Sequence, residues 1–124
     1  MNKLVLIAAG GALGALARYG LAGFVHRFVP ADFPYGTAAV NVLGCFLFGL
    51  VFALADERMY IRPDLRVFLL VGFMGAFTTF STYIFESAQL VRDFQWLLAG
   101  VNLSVQIVLG FGALFLGMAA GRAL

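Results

Sequence analysis

The sequence predicts an all-α membrane protein with four transmembrane helices, and three observations predict it. First, 63% of the 124 residues are apolar and only 11% are charged, against about 25% charged in a soluble domain. A soluble fold this small has too much surface for its volume to hide so much apolar area. Second, the stretches 33–55, 67–85 and 94–121 carry no charge, and 4–25 carries only Arg18. About 20 helical residues suffice to cross a hydrocarbon core of about 30 Å. Third, no stretch alternates apolar and polar residues with period two, which speaks against a barrel. Helices satisfy every backbone polar group within the segment, as lipid demands.

The elements follow in order, as one domain over 1–124 with nothing large outside the bilayer. Span one is expected over about 4–26. Its Lys3, apolar run and Ala15-Leu16-Ala17 imitate a cleaved leader. The glycine-rich apolar pattern runs on to Val25, so the segment is expected to stay as a span. Pro30, Asp32 and Pro34 mark the first loop, with His26 at its edge. Span two, about 36–55, places Thr37 and Asn41 four apart on one face that Gly44 continues. Its lone cysteine, Cys45, reads as a buried packing thiol. Asp56 to Asp64 holds five charges and Pro63 and forms the second loop.

Span three, about 65–91, contains Gly72-Phe73-Met74-Gly75-Ala76-Phe77-Thr78-Thr79-Phe80-Ser81-Thr82-Tyr83. Glycine raises the entropic cost of a helix, and Thr and Ser offer competing bonds to the backbone. A break is therefore expected between Gly75 and Thr79, at membrane depth. Freed carbonyls there could hold a cation, and freed amides could attract an anion. Phe80 and Tyr83, three apart, share a face and offer positive ring edges or simply pack. Glu86, four residues past Thr82, is either a proton-carrying carboxyl or a group bonding nearby hydroxyls at the end of the span. Arg92 and Asp93 mark the third loop. Span four, about 95–121, puts Asn102 and Gln106 on one face, with Ser104 between them.

Small residues in every span, such as the Gly10/Gly14 and Gly117/Gly121 pairs, suit close helix packing in lipid. Four short spans enclose little space, so a pathway is expected to need more than one copy. Lys3, Arg58, Arg62, Arg66 and Arg122 fall on one side and Arg18, Arg27 and Arg92 on the other, five against three. A bias this weak is compatible with insertion in both directions.

The net charge of +2, spread along the chain, excludes a nucleic-acid footprint. No nucleophile–base pair, phosphate loop, carboxylate pair or metal-spaced His/Cys set is present, so an enzyme is not expected.

Three motifs resemble the CrcB/Fluc fluoride channels: Gly11-Ala12-Leu13-Gly14-Ala15-Leu16-Ala17-Arg18-Tyr19, Gly36-Thr37-Ala38-Ala39-Val40-Asn41-Val42-Leu43-Gly44, and Gly75-Ala76-Phe77-Thr78-Thr79-Phe80-Ser81-Thr82-Tyr83. The third is the most specific, and the resemblance runs through nearly the whole chain. It implies an antiparallel, dual-topology homodimer in the inner (plasma) membrane that exports fluoride passively and lowers its cytoplasmic level. It implies that Asn41 points into a pore lined by the edges of Phe80 and Tyr83, with Thr37, Ser81 and Thr82 as polar lining. Asn102 and Gln106 are assigned to the same pathway and Arg18 to its vestibule. The resemblance further implies a central structural sodium ion held by the backbone carbonyls of Gly75 and Thr78 in both subunits. Tyr83 departs from the phenylalanine common in the family and adds a hydroxyl.

The alternatives are a proton-coupled drug exporter of the small multidrug resistance type and a subunit that transports nothing. The exporters need a carboxylate in span one, where this chain has none. A silent subunit would have no use for the cluster from Thr78 to Tyr83.

Overall fold

The computed structural model describes residues 2–30 and 32–124. Helix α1 spans Lys3–His26 and starts where the Asn2 side chain accepts the Leu4 N–H at 2.9 Å, which satisfies one of the donors left open at a helix start. Helix α2, Tyr35–Phe52, opens directly after Pro34 and runs on through a π-helical turn, Ala53–Glu57. The third stretch is assembled from four pieces. These are α3 (Pro63–Arg66, with proline in its first turn), a π-helical segment (Val67–Met74), α4 (Gly75–Phe77) and α5 (Phe80–Arg92). Helix α6 spans Trp96–Ala123. Four stretches, Lys3–His26, Tyr35–Glu57, Pro63–Arg92 and Trp96–Ala123, are long and apolar enough to cross a membrane.

The second and third loops leave their helices through a left-handed residue, Met59 (φ 57°) and Phe94 (φ 59°). After Phe94, the Gln95 N–H donates back to the Leu90 carbonyl at 2.8 Å, closing the helix end as a left-handed cap does. Arg122 donates two hydrogen bonds to Glu57, at 2.5 and 2.8 Å, tying the end of α6 to the end of α2.

Glycine sets how closely the helices meet. A Cβ on Gly117 of α6 would strike the Phe46 carbonyl of α2, and one on Gly49 would strike the Leu114 carbonyl of α6. The two backbones therefore touch through reciprocal glycines, the packing that lipid favours when side chains gain nothing by association. Gly10 and Gly14 of α1 meet the π-helical segment of span three in the same way, at the Phe68 and Phe73 carbonyls.

Burial is inverted relative to a soluble domain. Asn102 is wholly buried and Gln106, Thr37, Thr79 and Ser87 nearly so, whereas Leu4, Leu16, Phe111 and Phe115 are exposed. Among the described residues, Val40, Met74 and Phe77 form a small buried apolar cluster.

The expected break lies at Thr78 and Thr79. Thr78 (φ −82°, ψ 157°) and Thr79 (φ −147°, ψ 111°) are extended, while Gly75 (φ −60°, ψ −32°) stays helical. The break is therefore later and shorter than the Gly75–Thr79 interval the composition suggested. The hydroxyls set its limits. Thr78 turns its Oγ1 back to the Met74 carbonyl at 3.0 Å, closing the piece before the break. The Thr79 Oγ1 accepts the Thr82 N–H at 3.3 Å and caps α5. Both are the local bonds by which Thr competes with a continuous helix.

Candidate functional site

Asn41 projects from α2 onto the break. Its Oδ1 accepts the Thr79 N–H at 2.8 Å and its Nδ2 donates to the Thr79 carbonyl at 3.1 Å. One side-chain amide thus pairs both polar groups of an extended residue, as a neighbouring strand would. The pairing satisfies both backbone polar groups of Thr79, which the break takes out of the helical ladder. It also diverts the Thr79 N–H from the Gly75 carbonyl, its partner in an unbroken helix.

A row of amides and hydroxyls continues from Asn41. Its Nδ2 donates to Gln106 Oε1 at 2.8 Å, Gln106 Nε2 donates to Asn102 Oδ1 at 2.8 Å, and Asn102 Nδ2 donates to Ser87 Oγ at 2.9 Å. The Ser87 hydroxyl ends the row on the Tyr83 carbonyl at 2.8 Å. The expected shared face of Asn102 and Gln106 is therefore turned inward. Both N–H groups of Asn41 are engaged within the chain, one with the Thr79 carbonyl and one with Gln106.

Two grooves flank this row. The first, about 370 Å³, has Asn41, Gln106, Thr78, Phe80 and Tyr83 in its wall. The second, about 700 Å³, is bounded by Arg18, His26, Thr37, Thr82 and Glu86. Thr79 belongs to both, so the break is the partition between them.

A family model described as CrcB-like protein, Camphor Resistance (CrcB), matches residues 5–118. The chain is 57% identical over 122 residues to the fluoride-specific ion channel FluC of Solidesulfovibrio magneticus, covering 98% of each chain. It is 54% identical to the FluC of Nitratidesulfovibrio vulgaris (strain Miyazaki F) over 98% of each. It is 44% identical to that of Citrifermentans bemidjiense over the full length of both.

The chain belongs to the CrcB family.

Within this CrcB chain the motif residues fall into distinct settings. Phe80 is 74% exposed and Tyr83 only 6%. Their rings lie 6.0 Å apart and are tilted at 54° to one another, so they do not present one flat stripe. The Tyr83 hydroxyl donates to the Leu103 carbonyl of α6 at 2.6 Å. The departure from phenylalanine is thus a bolt between α5 and α6. Thr82 accepts from the Thr79 hydroxyl at 2.9 Å. Ser81 is exposed and takes no part in these bonds. Thr37, on the same face as Asn41, donates instead to Glu86 Oε1 at 2.9 Å. The carboxylate is therefore a hydroxyl acceptor, one of the two roles the sequence left open. Gly75 is exposed, and a Cβ there would meet nothing within 4 Å. Cys45 is half-buried in the wall of the first groove rather than deep in packing.

Sequence reasoning did not single out Ser87 or Leu103. Ser87 stands four residues after Tyr83, the back-bonding interval of a helical serine, and that spacing was available. Leu103 takes part only through its backbone, for which a side-chain pattern carries no signal.

Proposed function

We propose that the protein is a fluoride-selective channel that lets fluoride leave the cell down its electrochemical gradient and so lowers the cytoplasmic level. The observation that carries this is the Asn41 amide at the helix break, on the wall of a groove shared with Phe80 and Tyr83. Its support is family membership with relatives named as fluoride-specific channels. Fluoride is small and strongly hydrated, so a narrow pathway must replace its water with donors. Amide and hydroxyl donors supply strong contacts, and aromatic edges supply weak ones between them. Sites of uneven strength let an ion both arrive and leave.

In this proposal the break lies at mid-membrane depth and the working unit is an antiparallel homodimer inserted in both orientations in the inner (plasma) membrane. The weak charge asymmetry of the loops supports this. So does the open face at Gly75, where a second copy can approach closely. Arg18 supplies positive potential at the mouth of the second groove, whose wall includes Thr37 and Thr82; Gln106 borders the first groove, and Ser81 and Asn102 complete the polar groups assigned to the pathway.

A structural sodium ion at the dimer centre fits the residues present. Hard cations take oxygen ligands, and the Gly75 carbonyl is relieved of the Thr79 N–H. With the carbonyl of Thr78, in the break itself, it would hold the ion in each subunit. When bound, the ion supplies a fixed positive charge that does not titrate. No chemical step is catalysed, and no carboxylate in α1 offers the proton carrier that a drug exporter needs.

The test is protection in cells. In a bacterium lacking fluoride export of its own, expression should restore growth in fluoride and lower its internal concentration. Unchanged sensitivity, with the protein present in the membrane, contradicts the proposal.

A further inference from the structure

The sense of the polar row beside the first groove is fixed at both ends by backbone groups. The Thr79 N–H can only donate, so it sets Asn41 with Oδ1 toward Thr79. The Asn41 Nδ2 must then face Gln106, which presents Oε1 and turns Nε2 to Asn102. Asn102 in turn donates to Ser87, whose hydroxyl is left to donate to the Tyr83 carbonyl, a group that can only accept. No member can turn over alone. The two N–H bonds of Asn41 differ in security, however. The bond to Thr79 is one half of a two-point clamp, with 2.8 and 3.1 Å contacts. The bond to Gln106 is a single contact to a flexible side chain on another helix.

We infer that Gln106 is a displaceable stand-in for the anion: its Oε1 occupies one N–H of Asn41 when the groove is empty of fluoride, and fluoride takes its place. The inference rests on the channel reading above. The groove of about 370 Å³ is bounded by both Asn41 and Gln106, so an ion in it approaches the bond from the side. Displacement costs Gln106 one acceptor contact only, because its Nε2 remains on Asn102. An N–H bond to an ionised acceptor is roughly twice as strong as one to a neutral amide, so fluoride can win the exchange. Chloride is larger and a weaker acceptor and competes poorly with an amide carbonyl. Selectivity thus arises from an internal competitor as well as from the donor. The returning Oε1 also keeps the bound ion from being held too long, since a site populated only part of the time in its competent form binds more weakly by that fraction.

The test uses the full chain, labelled with 15N in its asparagine and glutamine side chains and reconstituted in lipid bilayers. Only three glutamines are present, Gln89, Gln95 and Gln106, so Gln106 is assigned by its loss in Gln106→Met. Sodium fluoride should shift the Asn41 and Gln106 side-chain NH2 signals together and saturably, and equal sodium chloride should leave them in place. Gln106→Met keeps the length of the side chain and removes the competitor. The concentration of fluoride giving half-maximal flux should fall about threefold to tenfold, the effect of one net hydrogen bond. A merely structural glutamine would change stability and leave that concentration alone. Wild-type protein that passes fluoride with no shift at Gln106, or an unchanged half-maximal concentration in Gln106→Met, overturns the inference and leaves the channel reading standing. Wild-type protein that passes no fluoride overturns both.

Discussion

Replacing Asn41 by aspartate isolates what its amide does. Aspartate keeps an oxygen for the Thr79 N–H. It sets a charged oxygen against the Thr79 carbonyl and Gln106 Oε1, which now receive N–H bonds at 3.1 and 2.8 Å. Gln106 can turn its amide over to donate, but Asn102 must then turn as well and draw the Ser87 hydroxyl off the Tyr83 carbonyl. The Thr79 carbonyl cannot turn. At least one buried acceptor therefore stays unpaired, at about 1–3 kcal/mol, and one further bond of about 1 kcal/mol is lost along the row. The expected destabilisation is about 2–4 kcal/mol before any cost of the charge. For an anion in the groove the change is worse, because a donor has become a like charge. At 1.4 kcal/mol per factor of ten, a barrier raised by about 3 kcal/mol slows passage more than a hundredfold. The assay pairs thermal unfolding in detergent with fluoride release from liposomes at matched protein. Wild-type melting and wild-type release in Asn41→Asp would refute both the clamp at the break and the place of Asn41 in the pathway.

Other outcomes follow from the same geometry. Tyr83→Phe removes the bond to the Leu103 carbonyl but leaves the ring, so stability should fall by about 1 kcal/mol while fluoride still passes; abolished flux in folded protein would show that the hydroxyl does more than join two helices. Gly117→Ala should prevent close packing of α2 and α6, whereas Gly112→Ala on the same helix, where a Cβ meets nothing within 4 Å, should be neutral or slightly stabilising; equal behaviour in thermal melts contradicts the glycine contact. Thr79→Val removes the cap of α5 and the bond to Thr82, at about 1 kcal/mol, and should raise amide hydrogen exchange over Phe80–Tyr83 more than in α1. Single cysteines placed in the second loop, at Met59 for instance, should react with an impermeant thiol reagent in about half of the molecules from either side of the membrane, and labelling from one side alone defeats dual insertion.

The four helical stretches were legible because lipid imposes a length and a polarity that few other folds share. The break was legible in outline, since two glycines and four serine or threonine residues in the twelve positions from Gly72 to Tyr83 argue against a continuous helix. Its limits were not. They depend on Asn41, thirty-eight positions earlier, and glycine turned out to matter less than the threonine hydroxyls. The polar residues were also identifiable one by one. Spacing put Asn102 with Gln106 and Thr37 with Asn41, yet Thr37 bonds Glu86 on α5 while Asn41 bonds Thr79 and α6. Which residue faces which across helices follows from rotations that glycine contacts fix, and a one-dimensional pattern does not carry those. The π-helical turns at Ala53–Glu57 and Val67–Met74 had no sequence signature at all.

The most direct measurement is electrode recording of fluoride release from liposomes that contain the purified protein and are loaded with fluoride. Release should be far faster than from empty liposomes once a counter-ion can move, should be absent for chloride, and should ignore an imposed proton gradient. Release no faster than from empty liposomes, or release driven by the proton gradient, would contradict a passive fluoride pathway through this chain.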